Sequence, residues 1–327
     1  MTNLKFMKML KLNWFKTFAL GCAITLFAAC DDDSDEPMAK GDVEFEITDA
    51  PSDDPDIEGV FVTVTGIMVE GELIPLTKQT IDLKTYQEGN TKLLGTAEQL
   101  DAKTYSGLTL ILDTDTDASG NAPGCYVLTQ DGTKHDLNGD ESGNAEISIS
   151  EDWEVAANTT TAIVMDFDLR KSISYADDPS ISYRFVNDND LRSAIRVVEK
   201  DEAGTIKGTY TGNLIATDKV IVYAYKEGEF NAETETEGDE ETNLRFANAI
   251  TSAEVDKDLT GGTFTLALLE KGDYELHFVS YKENLAGQMT FDEVVSSETM
   301  VDGEVADIVK VESGTTIDVT GTIDINL

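Results

Sequence analysis

The chain is predicted to be all-β with minor helix, built as two β-sandwich domains in tandem over residues 41–200 and 204–327. Three observations carry that expectation. Apolar side chains recur at every second position from Val43 onward, short apolar stretches are separated by Gly, Pro, Asn and Asp, and about 290 residues follow Pro37. That is more chain than one sandwich core needs.

Ahead of these domains lies a leader with Lys5, Lys8, Lys11 and Lys16, an apolar run from Thr17 to Phe27, and the small residues Ala28 and Ala29. The order of charge, apolar core and small residues is that of a bacterial export signal, and the core falls short of the ~20 apolar residues a membrane span requires. Ala28-Ala29-Cys30 resembles the lipobox read by the lipoprotein signal peptidase, although Phe27 stands where that pattern usually has an aliphatic residue. The resemblance implies that residues 1–29 are a lipoprotein signal peptide and that Cys30 is acylated. Cleavage at the competing Cys22 would leave Ala23 to Ala29 exposed at the mature end.

Residues 30–40 then form the lipidated cysteine and its acidic tether. Asp31-Asp32-Asp33-Ser34-Asp35-Glu36 is similar to the surface-export tether of Bacteroidetes lipoproteins, which implies an outer-membrane protein facing the cell exterior. A run of like charges is also a solvated spacer. The two roles are compatible.

The chain has 24 Lys and Arg against 64 Asp and Glu, a formal charge of −40. Removing the leader, with four lysines and no acid, leaves 20 basic against 64 acidic residues, or −44. Such a field repels nucleic acid and anionic headgroups. The expected contacts are therefore the membrane through the N-terminal lipid and a glycan or envelope protein, with no nucleic acid. Once Cys22 is lost and Cys30 acylated, Cys125 is the one cysteine left of three, so no intrachain disulfide can form.

Along the chain, Val43, Phe45 and Ile47 alternate with Glu44, Glu46 and Thr48 as a half-buried strand that stops at Pro51 and Pro55 in an exposed loop. A strand over Val60 to Val69 switches parity near Gly66, which calls for a bulge. Leu73 to Leu83 reads as a short strand pair around Pro75. Leu93, Leu94, Ala97 and Leu100 have helical spacing, weakened by Gly95. Leu108, Leu110 and Leu112 return to strand period, and Asp131-Gly132 reads as a two-residue hairpin turn. Ile147 with Ile149, and Ile163 to Leu169, give two strands with one wet face each. Leu191 to Val198 fits a helical turn or a strand, and Asp201 to Gly204 is the linker.

The second domain opens with Thr205 to Tyr210 and Val220 to Tyr225. Lys226 to Thr242, rich in Glu, Thr and Gly, has the composition of disorder. Phe264 to Leu268 and Tyr274 to Phe278, joined by Lys271-Gly272-Asp273, have a hairpin pattern, and Ile317 to Ile325 closes the chain.

Through Ile47-Thr48-Asp49-Ala50-Pro51 and Asp166-Phe167-Asp168-Leu169-Arg170-Lys171-Ser172-Ile173, the first domain resembles an uncharacterised lipoprotein-domain family common in Bacteroidetes. That family brings a β-rich domain and no established activity. Through Gly208-Thr209-Tyr210, Val222 to Tyr225 and Phe264 to Phe278, the second resembles the carboxypeptidase-regulatory or transthyretin-like sandwich, which implies a spacer or binding support.

No residue pattern singles out a catalytic or cofactor-binding set. A Cys125–His135 nucleophilic pair is conceivable, but a two-residue turn would pair His135 with Leu128 and put Cys125 on the other face. Cys125 is then a packing residue. Asp113, Asp115 and Asp117 place alternate carboxylates on a loop as a calcium site could, yet Ala118 and Gly124 stand where an EF-hand needs glycine and glutamate. Asp136, Asn138 and Asp140 fail in the same way, with Ile147 at the glutamate place. His277 has the parity of a solvent-facing residue. Tyr210, Tyr223, Tyr225, Tyr274 and Tyr281 could form a sugar-stacking surface or simply pack.

The expectation is a non-enzymatic, lipid-anchored surface protein with a binding or adhesion role toward glycans or envelope partners. The alternatives are a subunit of a surface fibre, joined by edge-strand pairing, and an envelope glycan hydrolase, whose carboxylate pair no sequence feature selects.

Overall fold

The computed structural model describes residues 38–50, 57–137, 143–174, 183–238, 244–285 and 289–325. The leader, Cys30, the acidic run up to Pro37 and the loop around Pro51 and Pro55 lie outside them. The fold is all-β with minor helix. Met38–Leu327 forms one compact unit.

The N-terminal half contains β1 (Lys40–Ala50), β2 (Ile57–Val69), β3 (Glu72–Asp82), β4 (Lys92–Asp101), β5 (Thr104–Asp113), β6 (Tyr126–Thr129), β7 (Lys134–Asp136), β8 (Asn144–Glu154) and β9 (Thr160–Asp168). A one-turn helix α1 (Leu169–Ser172), β10 (Ile173–Ser174), β11 (Arg184–Phe185), α2 (Asp188–Ser193) and β12 (Ile195–Glu199) follow. Leu191 to Val198 is thus a helical turn and then a strand. One sheet has the order β12-β9-β1-β4, the facing one β7-β6-β2-β5-β8 with β3 on β2. Their inner faces share one core, in which Trp153 stacks on Tyr105 and meets Phe45 edge-on.

The C-terminal half contains β13 (Gly204–Gly212), β14 (Lys219–Lys226), α3 (Ala232–Glu237), β15 (Thr251–Glu254), β16 (Asp256–Lys257), β17 (Gly261–Leu269), β18 (Gly272–Glu283), β19 (Met289–Val301), β20 (Glu304–Val305), β21 (Val309–Val311) and β22 (Thr316–Asp324). Its sheet runs β15-β14-β18-β19-β22-β13-β17-β16, with a second core built on residues such as Ile206, Phe264, Phe278 and Val319. In each half the opening strand lies parallel to a late one, β1 to β9 and β13 to β22.

Several expectations need correction. The stretch with helical spacing is strand β4, because two bulges interrupt its pairing with β1. The ladder skips Leu94, between the pairs Phe45↔Gly95 and Glu46↔Leu93, and skips Glu98 and Gln99, between Gly41↔Leu100 and Val43↔Ala97. Each skip reverses parity, so a period of two looks like a period near 3.6. Around Pro75 there is one strand, β3, which pairs only with β2 and sets Pro75 opposite Gly66, at the bulge that the parity switch in β2 implied. Proline fits there because its missing N–H falls on an edge.

The outer face of β9 is dry, since Val164, Asp166 and Asp168 are buried as well as Ile163, Met165 and Phe167. β17 and β18 do not form a hairpin: β17 pairs with β13 and β16, β18 with β14, β19 and β21. Both carry inward apolar residues because they face each other across one core, and the sequence pattern is the same in either arrangement. Where disorder was expected, residues 226–238 are ordered around α3, with Glu235 buried; 239–243 lie outside the described residues.

Candidate functional site

The two stretches that carry the family resemblance converge. Parallel pairing sets Thr48 beside Asp166 and Ala50 beside Asp168, so Asp49, Asp166 and Asp168 gather at the same ends of two central strands. Asp168 caps α1 by accepting a hydrogen bond from the Arg170 amide at 3.1 Å. Its carboxylate also takes Arg170 Nη2 at 2.7 Å and lies 3.6 Å from Lys171 Nζ. Arg196, directly across the ladder on β12, binds the Asp166 carboxylate.

Each of these three cations reaches on into the C-terminal half. Arg170 Nη1 donates to the Phe246 carbonyl at 3.3 Å while its guanidinium lies over the Tyr223 ring at 5.0 Å. Lys171 Nζ donates to the Ala249 carbonyl at 2.7 Å, and Arg196 Nη1 to the Leu268 carbonyl at 3.4 Å. Val164, Val198 and Leu268 form an apolar cluster beside them. Buried carbonyls need donors, and here the N-terminal half supplies some of them as charged groups held by its own carboxylates. The arrangement is a fastener between the halves. The cavity adjoining Asp49, about 20 Å³, has room for little beyond a water molecule.

Among the described residues Asp49 has no cation of its own. It accepts from Gln87 Nε2 at 2.9 Å and the Leu169 amide at 3.4 Å. Burial drives its carboxyl well above the ordinary aspartate range, and the Asp168 and Asp166 charges add to the rise, which the Gln87 hydrogen bond only partly offsets. The folded chain therefore holds a proton that the unfolded chain has lost, and stability falls as pH rises from the ordinary aspartate value toward the raised one. Asp49→Asn is expected to stabilise the fold by about 1 kcal/mol at pH 7. Urea unfolding should show the gain shrinking toward pH 4; a loss at pH 7 would mean that the carboxylate is held ionised.

The other sequence candidates do not assemble a site. Cys30 lies outside the described residues. Gln130 to Gly132 form a three-residue loop, closed by Thr129 N donating to the Thr133 carbonyl, with Gly132 left-handed at φ 81°. That shifts the register by one, pairing His135 with Val127 rather than Leu128, so His135 and Cys125 share a face after all. The dyad still fails. His135 Nε2 bonds Thr129 Oγ1 at 3.2 Å, while Cys125 Sγ donates to the Asp113 carbonyl at 3.6 Å. Burial pushes the Cys125 thiol up to about 12. Iodoacetamide at pH 8 should accordingly modify Cys125 only as fast as the chain unfolds, as followed by peptide mapping; rapid labelling of the native protein would contradict this.

Asp113, Asp115 and Asp117 diverge. Asp113 binds Lys78 Nζ at 2.6 Å and the amides of Asp115 and Thr116, Asp115 takes the Gly143 amide, and Asp117 takes the amides of Ser119 and Asn121. They shape their loop. Asn138 and Asp140 lie outside the described residues. Among those described, no group of three or more His, Cys, Asp or Glu is placed to hold a metal.

All five tyrosines are buried packing residues. His277 is half-buried, not solvent-facing, because the Phe230 ring stacks on it at 3.6 Å. Burial lowers its pKa below the ordinary histidine value.

Residues 40–186 match the family model described as Domain of unknown function (DUF4382). The matched region includes Asp49, Asp166, Asp168, Arg170 and Lys171 and stops before β12, although β12 completes the same sheet. Comparison with curated proteins finds no match.

Among solved structures, a leucine-rich repeat protein from Bacteroides thetaiotaomicron is similar at 13% identity and a TM-score of 0.22 over 88% of this chain. The chain spans only 26% of that protein's length. A Parabacteroides distasonis protein proposed to act in cell adhesion is 11% identical, with a TM-score of 0.20, over 88% of this chain and 98% of its own. The fimbrial anchor protein Mfa2 from Porphyromonas gingivalis is 11% identical, with a TM-score of 0.20, over 77% and 82% of the two chains.

Among the described residues no helix is long and apolar enough to cross a membrane. Sequence reasoning had marked Asp49, Asp166, Asp168, Arg170 and Lys171 as motif residues without assigning them a task, and it missed Arg196. The available signal was scarcity. In a chain with 24 basic residues, five fall within residues 170–196, and Arg170, Lys171 and Arg196 are among them.

Proposed function

We propose that this chain is a non-enzymatic, lipid-anchored protein of the outer membrane that faces the cell exterior and serves as a binding or adhesion module. The observation that carries the reading is the order of features at the N-terminal end: lysines, apolar run, Ala28-Ala29-Cys30 and acidic tether. Strand β1 begins at Lys40, only ten residues after Cys30. An anchor followed by a short solvated spacer would tether a stiff β body at the cell surface. The tandem domains 41–200 and 204–327, the second as a transthyretin-like support, would move as one piece because of the fastener at Arg170, Lys171 and Arg196.

Cys30→Ala should release the protein from the membrane fraction, and retention would overturn the anchor. On intact cells the native protein should be accessible to protease and antibody, and neutralising Asp31 to Asp33 with Asp35 and Glu36 should hide it. If the native protein is hidden as well, it faces the periplasm.

A further inference from the structure

A second feature of the N-terminal half is an open surface cleft of about 390 Å³ at the start of β1, formed by Lys40, Gly41 and Asp42 with Gln99 and residues 158–160. Two local devices build it. The β4 bulge opposite Asp42 leaves Gln99 left-handed at φ 61°, and Asp42 Oδ1 accepts its freed amide at 2.9 Å. The turn before β9 has Asn158 left-handed at φ 60° and is tied to β1 from both sides: Asn158 N donates to the Lys40 carbonyl at 2.7 Å and Asp42 N to the Thr159 carbonyl at 3.0 Å.

Gly41 lets that turn press in, since a Cβ there would sit 2.2 Å from the Ala156 carbonyl oxygen. Left-handed non-glycine residues are strained and tend to cluster at functional sites. Bulges do so too. Here they set the backbone of Gln99 and Asn158, both exposed, at the cleft.

The cleft presents uncommitted polar groups. The carboxamides of Gln99 and Asn158, the hydroxyls of Thr159 and Thr160, and Asp42 Oδ2 make no hydrogen bond among the described residues. Lys40 Nζ, at the rim, is paired with Asp101 at 2.5 Å. No aliphatic or aromatic side chain lines the cleft, which disfavours an acyl or other apolar ligand. One free carboxylate oxygen in a chain of net charge −40 disfavours an anion, and a lone carboxylate makes a poor cation site.

What remains is a neutral ligand dense in hydroxyls, which can donate to Asp42 and both donate to and accept from the carboxamides. The volume is at the lower end of small-molecule sites, which run from about 300 to 1,000 Å³. We infer that this cleft binds a neutral monosaccharide unit of a glycan, an inference that rests on the surface-binding reading and gives it a site.

A few hydrogen bonds without a stacking platform support millimolar affinity, on the order of −4 kcal/mol. Many anchored copies on one surface would raise that by avidity.

Saturation-transfer NMR on the purified full chain, with methyl glycosides of glucose, galactose, mannose and N-acetylglucosamine as probes, tests it. At least one glycoside should bind. Asn158→Gly keeps the left-handed backbone and removes the carboxamide, and Thr160→Val removes a hydroxyl at nearly constant volume; each should weaken binding about tenfold at an unchanged melting temperature. If none of the four binds, or binding survives both substitutions, the assignment is overturned. Cys30→Ala fractionation and surface proteolysis read the anchor separately, so failure of the cleft and failure of the surface reading are distinguishable.

Discussion

Replacing Asp168 with alanine is expected to lower the free energy of unfolding by about 3–5 kcal/mol, the cost of leaving one member of a buried ion pair alone. The burial decides the size. The Arg170 side chain is 1% exposed and that of Asp168 9%, so the pair is not the screened, weakly contributing kind found at surfaces. The substitution also removes the cap of α1. Lys171 loses its nearby carboxylate, and burial already depresses the pKa of that lysine.

Asp168→Asn should cost less, because it keeps the volume and the capping oxygen. Denaturant unfolding at pH 7 gives the magnitude; a change below 1 kcal/mol would mean that water reaches Arg170 freely.

The pH dependence of that variant has a definite sign. Burial pushes the Asp168 carboxyl up, but the charges of Arg170 and Lys171 and the Arg170 hydrogen bonds more than reverse this and hold it below the ordinary range. Its contribution is therefore fully present above the unfolded aspartate value and is lost as pH falls through the folded one. The gap between the native protein and Asp168→Ala should begin to narrow below about pH 4 and close only below the lowered folded value. Asp49, with the opposite shift, weakens the native fold as pH rises, so two aspartates on neighbouring strands pull the pH profile in opposite directions.

How far the sequence disclosed this structure depends on what each feature needs. Alternation along β1, β5, β8 and β9 needs only local chemistry, and those strands are where the period places them. The Gly66 bulge was legible because it broke a strong pattern once. In β4 two breaks close together imitate a helix, and nothing within the segment can distinguish the two readings. Only its neighbour β1 does.

His135 shows the same limit at a turn. Asp131-Gly132 fits both a two-residue and a three-residue loop, and a single residue of difference turns the histidine to the other face. The fastener lay further out of reach. Its cations bind backbone carbonyls of residues 246, 249 and 268, and carbonyls leave no mark on a sequence.

The acidic segment after β14 gives the second large effect. Glu235→Ala is expected to destabilise the fold by about 2–4 kcal/mol, with much of the loss appearing as local opening of residues 227–250. Composition alone assigns this segment to disorder, yet Glu235 is 3% exposed and its carboxylate accepts three hydrogen bonds. They come from Tyr225 Oη at 2.7 Å, Asn248 Nδ2 at 2.5 Å and the Asn248 amide at 3.2 Å.

Asn231 caps the preceding end of α3, and Phe246 stacks on Tyr223 to cover the outer face of the sheet. Burial and the adjacent Glu235 keep the Tyr225 hydroxyl protonated as a donor far above its usual range. Alanine would strand that hydroxyl and two donors of Asn248, each orphan costing about 1–3 kcal/mol unless the segment lifts to let water in. Glutamine, which replaces one acceptor oxygen with a donor facing Asn248, should fall between.

Hydrogen exchange separates the two responses. Faster exchange confined to 227–250 marks local lifting, and faster exchange throughout the C-terminal sheet marks a shared loss of stability. Unchanged exchange in both places would show that the three hydrogen bonds do not hold the segment down, leaving the rings of Phe230 and Phe246 and the donors of Arg170 and Lys171 to anchor it.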